Sequence, residues 1–265
     1  MKLIGLCGRA NSGKDEIANI LAHTYNFKKI SFAKPIKELV MKYFGYSEQD
    51  VFVKKPKQVR FILQVLGSCI RQNITKFIQE IQSIDPNTPD FFKSFHQTTY
   101  ATGFIKELTV KYFNIEPEKL NTKKNKIFIQ NLENLWINEI INFAKLTNQG
   151  TEENNIWIEF LKLKLESGHN YVISDVRLKN EKKFIESMNG VVIKVERSDR
   201  ISLGELDNHI TETDLNNDSF NFVINNEHKT DWRKSLIIQI NNIIRQLYYA
   251  KFFTKEEIDK FKVII

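Results

Sequence analysis

The stretch Gly8-Arg9-Ala10-Asn11-Ser12-Gly13-Lys14-Asp15 decides how the rest of this chain is read. The apolar run Leu3-Ile4-Gly5-Leu6-Cys7 precedes it, with the continuous hydrophobicity of a buried parallel strand. Behind it, Ile17, Ala18, Ile20 and Leu21 recur at helical spacing. Strand, glycine-bounded turn and helix start are together the setting in which such a turn holds phosphate. Backbone N–H groups converge on the anion there, and the helix dipole adds positive potential. Lys14 would extend to the β- and γ-phosphates as a point charge. Asp15 stands where Ser or Thr ordinarily meets Mg²⁺; a carboxylate at that position can hold the ion directly or through water. The stretch implies a nucleoside triphosphate ligand. A chance glycine turn in an unrelated α/β domain is the competing account.

Length and composition bound what this loop can belong to. The 265 residues fit one large domain, or a core domain carrying an insertion, and 42% hydrophobic content with 20 Phe is ample for a core. No run of eighteen apolar residues offers a membrane span. The N-terminus enters the first strand directly, without the pattern of a signal peptide. Cys7 and Cys69 have no metal-ligand spacing and read as reduced thiols of a cytosolic or nuclear compartment, with the cytoplasm the expected location. The net charge of +7 suits a polyanion without choosing which. The densest basic runs, Lys54-Lys55-Pro56-Lys57 and Lys123-Lys124-Asn125-Lys126, lack the interleaved aromatics of a stacking platform, which disfavours nucleic acid as a partner.

The pattern along the chain predicts strand 2–7, helix 13–25 and strand 28–33, with Pro35 in the first turn of a further helix. Residues 36–165 read as mostly helical, with a polar break at Asp85-Pro86-Asn87-Thr88-Pro89. Strand-like runs return at 171–174, 191–195 and 220–224. An amphipathic helix over 231–249 and a short tail follow, and both would serve either a homodimer or the core. Alternating strands and helices predict a parallel sheet covered on both faces, with the ligand at the carboxyl ends of the strands. One repeat interrupts this plan: Ile36–Phe44 recurs as Ile105–Phe113, identical at seven of nine positions, and the same offset of 69 aligns Lys54-Lys55 with Lys123-Lys124. A duplicated segment is the better account of it than two converged amphipathic helices.

Three further clusters carry chemistry. Asp175 and Arg177 follow Tyr171-Val-Ile-Ser174, where an acid could partner Mg²⁺ or the attacking oxygen and an arginine could clamp phosphate. A surface Asp–Arg pair capping the next helix is the alternative. Arg197 and Arg200, in Val195-Glu-Arg-Ser-Asp-Arg200, read either as lid arginines that neutralise a transferring phosphoryl group or as a solvated turn. Asp207-Asn-His209-Ile-Thr211-Glu212 lacks a cysteine or second histidine for zinc. It suits a hydrogen-bonding turn around substrate or a helix cap with Thr211.

With these residues assembled, the chain resembles the phage-type deoxynucleoside monophosphate kinases, which are P-loop kinases. The resemblance lies in Ser12-Gly13-Lys14-Asp15, Phe32-Ala33-Lys34-Pro35-Ile36-Lys37 and Leu63–Ser68 with Arg71. It continues in Asp175-Val-Arg177-Leu-Lys-Asn180-Glu181, Asp207-x-His209-x-Thr211-Glu212 and Val223-Ile224-Asn225-Asn226, collinear over 1–72 and 155–227. It implies a P-loop NTPase three-layer α/β fold with about five parallel strands, one kinase domain over 1–265. Within that domain, 36–155 would form a helical acceptor-side region containing the repeat (36–72 and 105–155). It further implies ATP and Mg²⁺, with small-molecule nucleotides as partners. Gly8, Arg9, Asn11, Ser12, Gly13, Lys14 and Asp15 would hold the donor phosphates, and Asn225 would lie near the donor base. Asp15 and Asp175 would hold the metal. Phe32, Lys37, Arg71, Arg177, His209 and Glu212 would border or bind the acceptor, with Arg197 and Arg200 in the lid. Family members carry a Leu-Gly-Thr-like turn, an arginine and a tryptophan close together. Here Gly67, Ser68 and Arg71 stand far upstream of Trp157, and a second candidate turn, Gln149-Gly-Thr-Glu152, lacks the arginine. Animal-type phosphomevalonate kinases resemble the chain in the same Ser-Gly-Lys-Asp loop, so another small phosphorylated acceptor stays open, as does a nucleic-acid-dependent ATPase.

Overall fold

The computed structural model describes residues 1–82, 109–110, 115–135, 155–202, 204–227 and 231–262. The chain divides into two compact units, one formed by Met1–Phe32 with Leu161–Ile265 and the other by Ala33–Phe160. The strands are β1 (Leu3–Cys7), β2 (Phe27–Ile30), β3 (Asn170–Val176), β4 (Val191–Glu196) and β5 (Phe222–Asn225). The described helices are α1 (Lys14–Tyr25), α2 (Lys34–Phe44), α3 (Lys57–Gln82), α4 (Lys123–Leu135) and α5 (Ile156–Lys162). They continue with α6 (Lys179–Ser187), α7 (Ile210–Thr213), α8 (Trp232–Tyr249) and α9 (Lys255–Ile258).

In the first unit all five strands run parallel in the order β2-β3-β1-β4-β5. β1 is buried along its whole length, as a central parallel strand must be when both of its faces are covered. On one face Ile4, Leu6, Val172, Ile193 and Ile224 pack against Ile17 and Leu21 of α1 and Leu236, Ile240 and Ile244 of α8. On the other face Gly5 gives α6 its room, since a Cβ at Gly5 would lie 2.6 Å from Cδ1 of Ile185. This is a P-loop kinase-like α/β fold. The C-terminal tail belongs to the core of this unit: Phe253 and Phe261 are buried, and their rings meet edge-on at 5.4 Å between centroids. Tyr25 joins them, 5.3 Å from Phe261, and its hydroxyl donates to Asn241.

The second strand ends earlier than the sequence pattern indicates. Its expected span of 28–33 becomes Phe27–Ile30 because the chain turns toward α2 at this point. The N–H of Phe32 then leaves the ladder and donates to Oδ1 of Asp175 at 2.8 Å. β3 runs longer than expected, so Asp175 lies inside its last residues rather than beyond them.

The second unit is helical in its described residues. Pro35 sits in the first turn of α2, which packs on α3 and α4, with the rings of Phe44 and Phe128 at 5.4 Å. Gly67 and Ser68 fall within the continuous helix α3, so the family-like turn expected there is a helical turn instead. Its lack of a side chain lets Ile36 approach, with Cδ1 at 3.3 Å from where a Cβ would be. Trp157 Nε1 donates to the Gly67 carbonyl at 3.4 Å, which unites in space the glycine and tryptophan that the sequence separates. The break at 85–89 and the turn at 149–152 lie outside the described residues, as does the recurring stretch 105–113 apart from Thr109 and Val110. No helix of the described residues is long and apolar enough to cross a membrane.

Candidate functional site

The loop 8–13 leaves β1 through two glycines that no other residue could replace without strain. Gly8 has φ +142°, and a Cβ there would come within 2.3 Å of the Val195 carbonyl oxygen. Gly13, at φ +96°, precedes the first residue of α1, and a Cβ would collide with Nδ2 of Asn226 at 2.0 Å. The first N–H groups of a helix have no partner within it, so α1 presents donors and a positive dipole end beside the loop. This is the local geometry of an anion cradle.

Lys14 opens α1 and is 7% exposed. Its ammonium donates to the carbonyls of Gly8 and Arg9, both at 2.7 Å, and lies 3.4 Å from Ser12 Oγ. Burial pushes its pKa down from 10.5 to about 7, and the Arg177 guanidinium pushes the same way against the opposing pull of Glu212, Asp15 and Cys7. Among the described residues no carboxylate forms an ion pair with this ammonium.

A cavity of about 200 Å³ opens beside the loop, at the carboxyl ends of β1, β3 and β4. Gly8, Arg9, Ser12, Arg177, Arg197 and Arg200 are among its lining residues. With Thr211 and Glu212, the lining draws on four of the segments singled out in the sequence. Arg197 is bonded to Asp199 at 2.9 Å. Arg200 makes a bidentate pair with Asp207 at 3.0 and 3.1 Å, and Ser202 Oγ adds a third bond to the same carboxylate at 2.6 Å. Asn11 reaches this segment as well, donating to the Ile201 carbonyl at 3.0 Å.

The turn 207–212 acts as a scaffold within this unit. His209 is the N-cap of α7, its ring nitrogen accepting the Thr211 N–H at 3.3 Å. Glu212 is buried and accepts the Ala10 N–H at 2.7 Å while pairing with Arg177. Arg177 also donates to the Thr211 carbonyl at 3.2 Å. Asp175 and Arg177 therefore do not form the surface pair that was the alternative reading. The cap of α6 is made by Glu181, whose carboxylate accepts the N–H of the N-cap residue Leu178 at 3.0 Å and that of Arg177 at 2.8 Å.

Asp15 is exposed and forms an ion pair with Lys29 of β2 at 2.9 Å. Asp175 is half-buried and carries the Phe32 bond. Both offer the hard oxygen ligands that Mg²⁺ takes. Among the described residues no three metal-competent side chains cluster, so an ion would draw most of its shell from phosphate and water. Phe32 is buried, with its ring 6.4 Å from that of Phe184. Lys37 and Arg71 belong to the second unit. There Lys37 lies over the Phe52 ring at 5.0 Å, and Arg71 is buried on α3.

Asn225 is exposed, and its backbone is bracketed by Gln239, which both accepts its N–H and donates to its carbonyl at 3.0 Å. Its neighbour Asn226 is the residue that reaches the loop: it is 2% exposed and donates from Nδ2 to the Ser12 carbonyl at 2.8 Å. Its own N–H is fixed by the Glu196 carbonyl at 2.8 Å. The sequence pattern places the Asn225-Asn226 loop near the donor base; of the two, Asn226 is the one that bonds the backbone of the phosphate loop, a long-range link with no local signal.

No curated protein sequence matches the chain. A family model described as deoxynucleotide monophosphate kinase matches residues 103–237, just over half of the 265 residues. The matched span runs through β3, β4 and β5 into α8 and contains Asp175, Arg177, the Arg197–Arg200 segment and the 207–212 scaffold. The chain belongs to the deoxynucleotide monophosphate kinase family.

Proposed function

We propose that the protein transfers the γ-phosphoryl group of ATP to a deoxynucleoside monophosphate, giving the diphosphate and ADP. The observation that carries this reading is the convergence of the Lys14 loop with Arg177, Arg197 and Arg200 around one cavity. The acceptor phosphate oxygen is already a competent nucleophile at neutral pH, so no strong base is required. Catalysis then consists of alignment and charge neutralisation. Lys14, freed from the Gly8 and Arg9 carbonyls, follows the charge that develops on the transferring group. Arg177 holds acceptor phosphate; Arg197 and Arg200 approach from the 197–207 segment and help exclude water. Mg²⁺, when bound, supplies positive charge against the phosphate oxygens, and Asp15 and Asp175 are the carboxylates that would hold it. Asp15, paired with Lys29 in the structure, would leave that ion pair to hold the metal.

The test is incubation of the protein with ATP, Mg²⁺ and each deoxy- and ribonucleoside monophosphate in turn, with diphosphates followed by chromatography. Formation of a deoxynucleoside diphosphate is expected, and the same panel gives the base preference. ATP binding without any diphosphate rejects the reading and turns attention to other phosphorylated acceptors.

A further inference from the structure

Both oxygens of Glu212 are engaged, and they are engaged by different parts of the site. Oε2 accepts the N–H of Ala10 in the phosphate loop at 2.7 Å. Oε1 meets Nη1 of Arg177. The Glu212 side chain is 2% exposed, whereas that of Arg177 is 27% exposed and lines the cavity. A carboxylate this deep is costly unless both oxygens are bonded, so neither link can be dropped cheaply. It stands on α7, whose start is fixed by the His209 cap and whose Thr211 carbonyl holds the same guanidinium.

We propose that Glu212 is a positioning residue that ties the phosphate loop to Arg177, so that one buried carboxylate registers the donor phosphates against the acceptor phosphate. This rests on the phosphotransfer reading above and changes the expected role of Glu212 from acceptor contact to internal link. Glu212 touches no substrate and works through Ala10 and Arg177. A plain counter-ion for Arg177 would affect the acceptor side and stability alone; a link must also affect ATP.

Two substitutions separate these roles. Glu212→Gln keeps the shape but replaces one accepting oxygen with an amide donor, so it cannot accept from both Ala10 and Arg177. Glu212→Asp keeps the charge but is one methylene too short to span the two. Each variant is compared with the wild-type chain for ATP affinity by calorimetry without acceptor, for acceptor KM and kcat, and for thermal unfolding. Both variants should weaken ATP binding and lower kcat by about 10- to 100-fold, the size expected for a lost charge-assisted hydrogen bond. In an Arg177→Ala background, Glu212→Gln should cost far less in kcat than it does alone and should still weaken ATP binding. Unchanged ATP affinity in a folded variant, full activity in Glu212→Asp, or strictly additive losses with Arg177→Ala would each overturn the proposal. If one variant does not fold, the other decides. ATP affinity is read without turnover, so a wild-type chain that binds ATP and transfers nothing contradicts the kinase reading, while the variant affinities still decide Glu212.

Discussion

Lys14 is the buried cation of the loop. Burial, with the Arg177 guanidinium acting in the same direction, lowers its pKa from 10.5 to about 7, so the free protein at about pH 8 favours the neutral amine. A triphosphate beside it favours the ammonium form and restores the proton. Nucleotide binding at about pH 8 should therefore take up a proton, and uptake should vanish below about pH 6, where Lys14 is already charged. Calorimetry in buffers of different ionisation enthalpy measures this. Lys14→Arg, permanently charged, should lose the Lys14 share of the uptake. The same shift makes the ligand-free fold gain stability as pH rises from about 7 toward 10.5, because the unfolded chain binds the extra proton in that window. At Gly13 the constraint is steric and conformational together. Gly13→Ala should cost about 1–3 kcal/mol in thermal unfolding and weaken ATP binding, since its Cβ meets Asn226 at 2.0 Å. Adding Asn226→Ala should return part of the loss.

At the scale of elements, the strand–loop–helix unit was legible because its signals are local. Apolar continuity gives β1, the two glycines give the loop, and the 3.6-residue period gives α1. The strands at 171, 191 and 222 were legible for the same reason. The end of β2 was not, because it depends on Asp175 drawing the Phe32 N–H out of the ladder from 143 positions away. The cluster 207–212 was visible as polar, but its task depends on long-range partners: Arg200 for Asp207, Ala10 and Arg177 for Glu212. Only the cap formed by His209 with Thr211 is local, and a helix cap is one of the two readings the sequence offers for this turn. Gly5 marks another element-level constraint, the approach of α6 to β1. Gly5→Ala should destabilise by about 1–3 kcal/mol through overpacking against Ile185 and Val176. Combining it with Ile185→Val, which removes the Cδ1 at 2.6 Å, should recover part of that loss in a denaturant titration.

Across the whole molecule, the first unit carries the sheet, the loop and the arginine cavity, and the second carries the helices of the repeat region. The sequence separates Gly67 from Trp157 so widely that the family pattern looked broken there. A hydrogen bond from Trp157 to the Gly67 carbonyl brings these two residues together within the second unit, across a separation no local signal could bridge. The net charge of +7 does not select an anion; in the proposed reading the loop and the arginines around the cavity would. The central claim is phosphoryl transfer between nucleotides, driven by Lys14. Its most direct test uses ATP labelled on the γ-phosphate, Mg²⁺ and a deoxynucleoside monophosphate, with wild-type protein beside Lys14→Ala. The account predicts label in the deoxynucleoside diphosphate with wild type, and a kcat lower by about a hundredfold or more with Lys14→Ala. Label found in inorganic phosphate alone, or Lys14→Ala turning over within severalfold of wild type, would contradict it.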